Sequence, residues 1–265
     1  MTALEIIAAV VIGLLAGVLG GIAGVGGSMI MLPGLALVLG YATEAQTEQH
    51  LYMAAAMAVN MLVALPAARK HHGAGAVRWD LFRWLLPSMT VTMVAAVLVS
   101  NAIEGEWLRR KLAIFIAVYC LFNLVRLVKR LPEPADPKAS VATWKLIVTG
   151  CVTGIISGLL GLGGGVVMVP MLQMVCGVGL VGAIATTLTV MPLTALVGAA
   201  IKIGTLDTHG FGVGEAFVLI LAMGPAAMIG GYLGATLTHT LPINAVRALI
   251  SALLFVIALK LAGVF

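Results

Sequence analysis

The chain reads Gly20-Gly21-Ile22-Ala23-Gly24-Val25-Gly26-Gly27-Ser28, and Pro33 follows five residues later. A second stretch begins 137 residues downstream, Ser157-Gly158-Leu159-Leu160-Gly161-Leu162-Gly163-Gly164-Gly165, and Pro170 follows it at the same distance. Aligned without a gap, residues 17–35 and 154–172 share eight identical residues. We term the two stretches the first and second glycine knots. Their duplication indicates that the chain consists of two related halves.

The composition of the chain decides its broad class. Of the 265 residues, 62% are hydrophobic and 9% are charged, and the mean hydropathy is +1.15. A soluble domain carries about 25% charged residues. The apolar runs are about as long as the 20 residues that a helix needs to cross the bilayer, and they lack the alternation of barrel strands. The sequence therefore predicts an all-α polytopic membrane protein. The net charge of +5 belongs to loops and gives no indication of a nucleic-acid partner.

The N-terminal apolar run resembles the core of a secretory signal. No Lys or Arg precedes it and Glu5 does, so we interpret it as part of the structure. The three cysteines stand singly in apolar runs, which is typical of small packing residues, and the prediction includes no cofactor, metal or catalytic residue. These cysteines are Cys120, Cys151 and Cys176.

Apolar segments divide the chain into halves at residues 1–128 and 141–265, joined by a charged, proline-rich linker at residues 129–140. Each half has three full-length segments in addition to two pieces that flank its knot. The predicted segments are Ala3–Leu19, Ser28–Leu39, His50–Ala68, Leu81–Val99, Leu112–Val128, Val141–Leu160, Val166–Val175, Leu180–Ile201, Phe217–Leu237 and Ala245–Val264. Residues 204–214 are predicted to be a loop and residues 241–244 a turn.

The number of crossings in each half predicts the relation between the halves. The two pieces at a knot either span the membrane twice, as a broken helix pair, or return as a re-entrant hairpin. In both cases each half crosses an odd number of times, and the second half is inverted relative to the first. A single crossing for the pair would make the repeats parallel. Inverted repeats are typical of secondary transporters.

The Lys and Arg residues of the loops predict the orientation. With the 69–80 loop and the central linker in the cytoplasm, ten basic residues lie inside. Five are left outside: Arg109, Arg110, Lys111, Lys202 and Lys260. We therefore expect a cytoplasmic linker and termini that face outward.

Backbone amides at membrane depth need partners, so a non-helical knot there must be buried in protein or line a wet cavity. The first turn of a helix that restarts after such a break offers free N–H groups to an anion. We expect Ser28 to cap the helix after the first knot, and Gly165 replaces it in the second. The alternative is close helix packing, which we favour for the glycines outside the knot centres. Those are Gly17, Gly20, Gly21, Gly154, Gly230, Gly231 and Gly234.

Some polar residues inside apolar segments are candidates for the transport pathway, with helix–helix hydrogen bonds as the alternative. They are Asn60, Gln173, Thr186, Thr187 and Thr189. Gln49 and the histidines are expected near the surface or in loops, in contact with solvent. No Asp or Glu lies deep in a segment, which favours an anionic or neutral substrate over a cation.

The duplicated G-x-x-G-x-G-G-(G/S) motif with its proline, in a chain with a charged central linker, resembles the sulfite exporter TauE/SafE family. The resemblance implies an inner-membrane carrier for small sulfur-containing anions such as sulfite, thiosulfate, sulfoacetate or sulfonates, or for related carboxylates. The motif glycines of the family correspond to Gly24, Gly26, Gly27, Gly161, Gly163 and Gly164.

The leading hypothesis is an alternating-access carrier for a small anion held at helix N-termini, with the bilayer as its environment. The predicted binding residues are Gly24, Gly26, Gly27, Ser28, Asn60, Gly161, Gly163, Gly164, Gly165, Thr186 and Thr187. An anion channel is the first rival. An intramembrane enzyme is disfavoured because neither Ser28 nor Ser157 has a histidine at helical spacing within its segment. A coupling proton or sodium ion, the direction of transport and an oligomeric state are left open.

Overall fold

A computed structural model describes residues 2–129 and 140–238, and all regular structure within these ranges is helical. The helices are α1 (Ala3–Ala23), α2 (Ser28–Val38), α3 (Glu48–Gly73), α4 (Trp79–Asn101), α5 (Gly105–Lys129), α6 (Thr143–Leu160), α7 (Gly165–Met174), α8 (Leu180–Gly204) and α9 (Val213–Thr238). A short 3-10 helix at Leu206–His209 lies between α8 and α9. The predicted turn at 241–244, the last predicted segment, His239 and linker residues 130–139 lie outside the described residues.

Both knots interrupt the helical path where the sequence predicts. The helix before each knot ends at a glycine in the left-handed conformation, Gly24 with φ +67° and Gly161 with φ +71°. A side chain at either position would be strained, and glycine ends helices in this way because it has no Cβ. The helix restarts at Ser28 in the first half and at Gly165 in the second.

Several predicted boundaries differ from the structure; for example, α1 continues to Ala23 and α5 begins at Gly105 rather than at Leu112. Helix α3 begins at Glu48 and continues to Gly73, beyond the predicted end at Ala68, because the basic residues after the apolar run extend the helix. The predicted loop at 204–214 contains the 3-10 helix and the first residues of α9. The apolar runs therefore mark the lipid-depth part of these helices and miss their polar ends.

Six helices of the described chain are long and apolar enough to cross a membrane: α1, α3, α4, α6, α8 and α9. The central two, α3 and α8, are the most buried, whereas large apolar side chains cover the outward faces of the others, such as Val91 and Leu221. Apolar side chains on the outer surface are compatible with lipid and costly in water. The chain is a polytopic membrane protein.

Helices of the two halves pair closely through glycine. On α1, a methyl group at Gly17 would collide with the backbone carbonyl of Ala227 on α9. Gly154 on α6 lies in the same way against the backbone of Met89 on α4. Small residues allow two backbones to approach this closely. The packing interpretation is confirmed for Gly17, Gly21, Gly154, Gly230, Gly231 and Gly234, whereas Gly20 packs against its own knot.

The two central helices run antiparallel. His50 near the start of α3 contacts Lys202 near the end of α8, and Met57 lies against Gly198. Helices α3 and α8 are the first full-length helices after the knot in each half. The inverted relation of the halves stays a prediction, which this antiparallel pairing supports.

Candidate functional site

The two knots meet at the centre of the bundle. Gly165 packs directly against the backbone of Gly24 and Val25, so that a methyl group there would collide with the carbonyl oxygen of Gly24. Every residue from Gly20 to Met29 and from Leu160 to Val169 is buried. Non-helical backbone is thus enclosed by protein at membrane depth, where its polar groups need partners from within the chain.

Asn60 of α3 joins the two knots. Its Oδ1 accepts hydrogen bonds from the backbone N–H groups of Gly27, at 2.7 Å, and Ser28, at 3.1 Å. Its Nδ2 donates to Ser28 Oγ at 2.6 Å and, at 3.4 Å, to the carbonyl of Leu162 in the second knot. The side chain is fully buried and all its contacts are to the knots. Asn60 therefore occupies the donors with which α2 begins.

The predicted capping role of Ser28 is wrong. The N-cap of α2 is Gly27, with no side-chain capping bond from its own segment, and Ser28 is the first helical residue. Its hydroxyl accepts from Asn60. The start of α2 is instead closed from outside, because the side chain of α3 reaches it across the first knot.

The second knot lacks the counterpart of Asn60. Gly24 packs on Ile184 and Gly26 on Met191, both of α8, while Gly161 packs on Met53 and Gly163 on Asn60, both of α3. Each glycine pair thus meets two residues that lie seven apart in the sequence. By this symmetry Met191 on α8 is the counterpart of Asn60 on α3. A thioether is a weak acceptor, and no side chain of the described chain caps α7.

Three buried hydroxyl groups of α6 and α8 have no hydrogen-bond partner in the described chain: those of Thr153, Ser157 and Thr187. The methyl carbon of Thr153 lies 3.9 Å from the position that a Cβ atom at Gly164 would take, which is an ordinary van der Waals distance. Thr187 stands on α8 between Ile184 and Met191, which both contact the first knot. A buried hydroxyl without a partner costs about 1–3 kcal/mol. Such groups indicate a place where a ligand or a water can bind.

Thr186 is not part of this centre. Its hydroxyl accepts a hydrogen bond at 3.1 Å from the backbone N–H of Arg78, at the start of α4. Thr189 donates within its own helix to Ala185. Of the predicted polar candidates in α8, only Thr187 has a free hydroxyl in the described chain. The sequence alone could not distinguish Thr186, Thr187 and Thr189, because the partner that each side chain faces depends on how α8 packs.

The prediction that Gln49, His50 and His71 face solvent is wrong, since all three are buried. His50 lies beside Lys202, which is fully buried and which the sequence assigned to an outside loop. Both residues stand at the ends of apolar runs, where loop residues are expected. The sequence did carry one indication that Lys202 is buried: its neighbours in the run Ala199–Gly204 are all apolar. Sequence reasoning missed this cluster.

Glu48 is the acidic residue buried among the described residues, and it stays at the end of its helix. Its carboxylate accepts from the backbone N–H groups of Ala42 and Thr43 and from the Thr43 hydroxyl. Next to it, burial raises the pKa of Tyr41 to about 12, although the nearby Arg109 opposes this shift. Glu48 therefore orders the α2–α3 loop.

Six long apolar helices, two of which (α1 and α6) end at breaks that meet at the centre of the bundle, define a polytopic membrane protein. Residues 9–261 match the family described as Sulfite exporter TauE/SafE, and the chain belongs to that family. The resemblance of the glycine motifs is thereby confirmed.

Relatives carry the same general description. The chain is 26% identical to the probable membrane transporter protein MamO of Paramagnetospirillum magneticum, over 97% of this chain and 44% of MamO. It therefore spans less than half the length of that relative. It is 24% identical to a probable membrane transporter protein of Methanocaldococcus jannaschii, over 94% of this chain and 92% of the relative. For one of Haemophilus influenzae the identity is 23%, over 97% of both chains. No solved structure matches the chain.

Proposed function

We propose that the protein is a secondary carrier that moves a small sulfur-containing or organic anion across the inner membrane by alternating access. The observation that carries this proposal is the asymmetry between the two knots. Asn60 accepts from two N–H groups at the start of α2, whereas no side chain of the described chain caps α7, and α6 and α8 carry three buried hydroxyl groups without partners. The anion binds at the start of α7.

The chemistry of the second knot suits an oxyanion. The start of α7 offers backbone N–H groups and the positive end of a helix dipole, and the glycines Gly161, Gly163 and Gly164 allow a ligand to approach the backbone closely. Thr153, Ser157 and Thr187 add hydroxyl donors. Sulfite, thiosulfate, sulfoacetate and sulfonates present several oxygens to such donors, and the family description names sulfite.

The first knot then has a different role from the one predicted for it. Gly24, Gly26, Gly27 and Ser28 form the wall against which the second knot packs, and Asn60 holds that wall in place. Gly165 allows the close contact because any side chain there would separate the knots. The halves rock about this contact, and the anion is exposed to each side in turn.

Two adjacent threonines give a matched test of the site. Thr187→Val removes a hydroxyl that the proposal assigns to the anion, and each hydrogen bond to a charged group contributes about 1.5–3 kcal/mol. We expect the KM for the transported anion to rise about ten- to a hundredfold. Thr186→Val removes a buried hydroxyl that bonds Arg78, and we expect it to leave KM unchanged. Uptake into proteoliposomes measures both.

The outcome for the two variants decides between a ligand and a packing role. A wild-type KM for Thr187→Val, or equal increases for both variants, would contradict binding at the second knot. Amounts of folded protein from size-exclusion chromatography provide the control for insertion and folding.

The carrier and the channel differ in their flux. Labelled sulfite, thiosulfate, sulfoacetate and simple carboxylates are offered to proteoliposomes with and without pH and sodium gradients. We expect saturable uptake of at least one anion and counterflow, in which internal unlabelled anion accelerates entry of the label. Flux that increases linearly with concentration and shows no counterflow supports the channel instead.

A further inference from the structure

Lys202 of α8 is fully buried and holds three neutral groups with its ammonium. Nζ lies 2.8 Å from Nδ1 of His50, 2.9 Å from Oγ of Ser100 and 2.6 Å from Oδ1 of Asn101. These acceptors belong to α3 and α4 of the first half, whereas Lys202 belongs to the second. The ammonium therefore joins the two halves.

The charge of this ammonium has no counter-ion in the described chain. Nε2 of His50 lies 3.1 Å from the carbonyl of Ile103, so this nitrogen carries the proton and Nδ1 accepts from Lys202. The ring of His209 stacks on His50 at 3.7 Å. Burial first, and the charge of Lys202 second, hold the pKa of His209 below its usual value, although Asp207 opposes this. The three groups that the Lys202 ammonium contacts are thus neutral.

A buried charge of this kind is expensive without a partner of opposite sign. The present hydrogen bonds of the ammonium are already charge-assisted, but an anionic oxygen would add the attraction between opposite charges, which is larger in a buried site than in water. An anion that reached Lys202 would therefore replace the neutral acceptors at a gain. The Ser100 hydroxyl and the Asn101 amide, which now donate to the Val97 carbonyl and the Thr205 hydroxyl, would turn from these partners to donate to the anion.

The place of Lys202 in the fold separates it from the second knot. Lys202 follows Met191, which contacts the first knot, by 11 residues along α8, or about 16 Å. Lys202 lies near the C-terminal end of α8. Thr186, whose hydroxyl accepts from the backbone N–H of Arg78, lies near the N-terminal end of the same helix. An anion that enters from the Lys202 end meets this cluster before it meets the knots.

We infer that Lys202, with His50, Ser100 and Asn101, forms a second anion-binding site, which takes the same small oxyanion as the second knot when the two halves separate at that end. The inference rests on the proposed anion transport. In the closed arrangement described above, the neutral acceptors occupy the place of the anion.

The test measures binding of labelled thiosulfate and sulfite to the purified full chain in detergent. Lys202→Met removes the charge with little change in volume, and we expect the affinity to fall at least tenfold, whereas Lys202→Arg stays within about threefold. Lys111→Met removes an exposed charge at the same end of the bundle and serves as the control, with wild-type affinity. The thermal midpoint of Lys202→Met without anion is expected to fall, because the buried acceptors of His50, Ser100 and Asn101 lose their donor, so affinities are compared per amount of folded protein.

The inference is overturned if folded Lys202→Met binds the anions as tightly as the wild type does, since Lys202 would then be a structural residue only. The effect of Thr187→Val is measured separately and is expected to multiply with that of Lys202→Met, because the two sites are distant. If the wild type binds neither anion and transports none of the panel, the proposed function fails. An effect of Thr187→Val alone contradicts only the second site.

Discussion

At the scale of single residues, Asn60 decides which knot is closed. Its amide bonds the donors of the first knot and reaches the carbonyl of the second. The residue at the equivalent place, Met191, offers no comparable acceptor. One side chain thus makes two segments of similar sequence chemically different, and in the proposed function the anion binds at the segment whose helix start has no such cap.

Asn60→Ala should destabilise the protein. The N–H groups of Gly27 and Ser28 lose their acceptor, and each buried group left without a partner costs about 1–3 kcal/mol. We expect a clearly lower thermal midpoint in detergent, measured by fluorescence. Thr90→Ala removes a hydroxyl that bonds only Leu86 of its own helix and is the control, with a small effect. Equal midpoints for the two variants would show that Asn60 does not hold the first knot.

At the scale of helices, pairs from different halves hold the bundle together. Helices α1 and α9 run in the same direction, as Gly17 meets Ala227 and Gly21 meets Gly231. Helices α4 and α6 form the equivalent pair, in which Gly154 meets Met89 and Gly158 meets Met93. Because lipid gives no hydrophobic drive for helix association, close backbone packing is the main source of this contact.

Gly17→Leu is expected to disrupt the α1–α9 pair. The added side chain meets the backbone of Ala227, which cannot move aside as a flexible side chain can, and overpacking of this kind costs about 1–3 kcal/mol or more. The yield of monodisperse protein should fall. Gly214→Leu, in the first turn of α9 with open space around it, is the matched control and should behave as wild type. Similar yields for both variants would contradict the packing role.

At the scale of the whole molecule, the antiparallel pairing of α3 and α8 supports the inverted repeat. Ala74 follows the end of α3 and Thr208 follows the end of α8, and both are exposed. If the halves are inverted, these ends lie on opposite sides of the membrane. The distribution of Lys and Arg further predicts that Ala74 faces the cytoplasm.

Cysteine labelling measures this topology. In a background without the three native cysteines, an impermeant maleimide added to intact cells should label Thr208→Cys and leave Ala74→Cys unlabelled until the cells are opened. Labelling of Ala102→Cys, in the α4–α5 connection, should match that of Thr208→Cys. Labelling of Ala74→Cys and Thr208→Cys from the same side would contradict the inverted arrangement.

The sequence was sufficient for much of what depends on local pattern, although the expectation that Ser28 caps α2 was wrong. The apolar runs predicted the membrane class, and the repeated glycines and prolines predicted where Gly24 and Gly161 end their helices. They also indicated the family. These features follow from hydrophobicity and from backbone freedom at glycine, which each segment carries by itself.

The tertiary structure alone decided which polar groups are satisfied. Asn60 reaches Leu162 across 102 residues of sequence, and Lys202 reaches Ser100 across a similar separation. Such contacts arise because α3 and α8 pack antiparallel, which brings opposite ends of distant segments together. A residue at the end of an apolar run looks like a loop residue until its neighbours are known. The buried Lys202 and the uncapped start of α7 are therefore properties of the packed molecule.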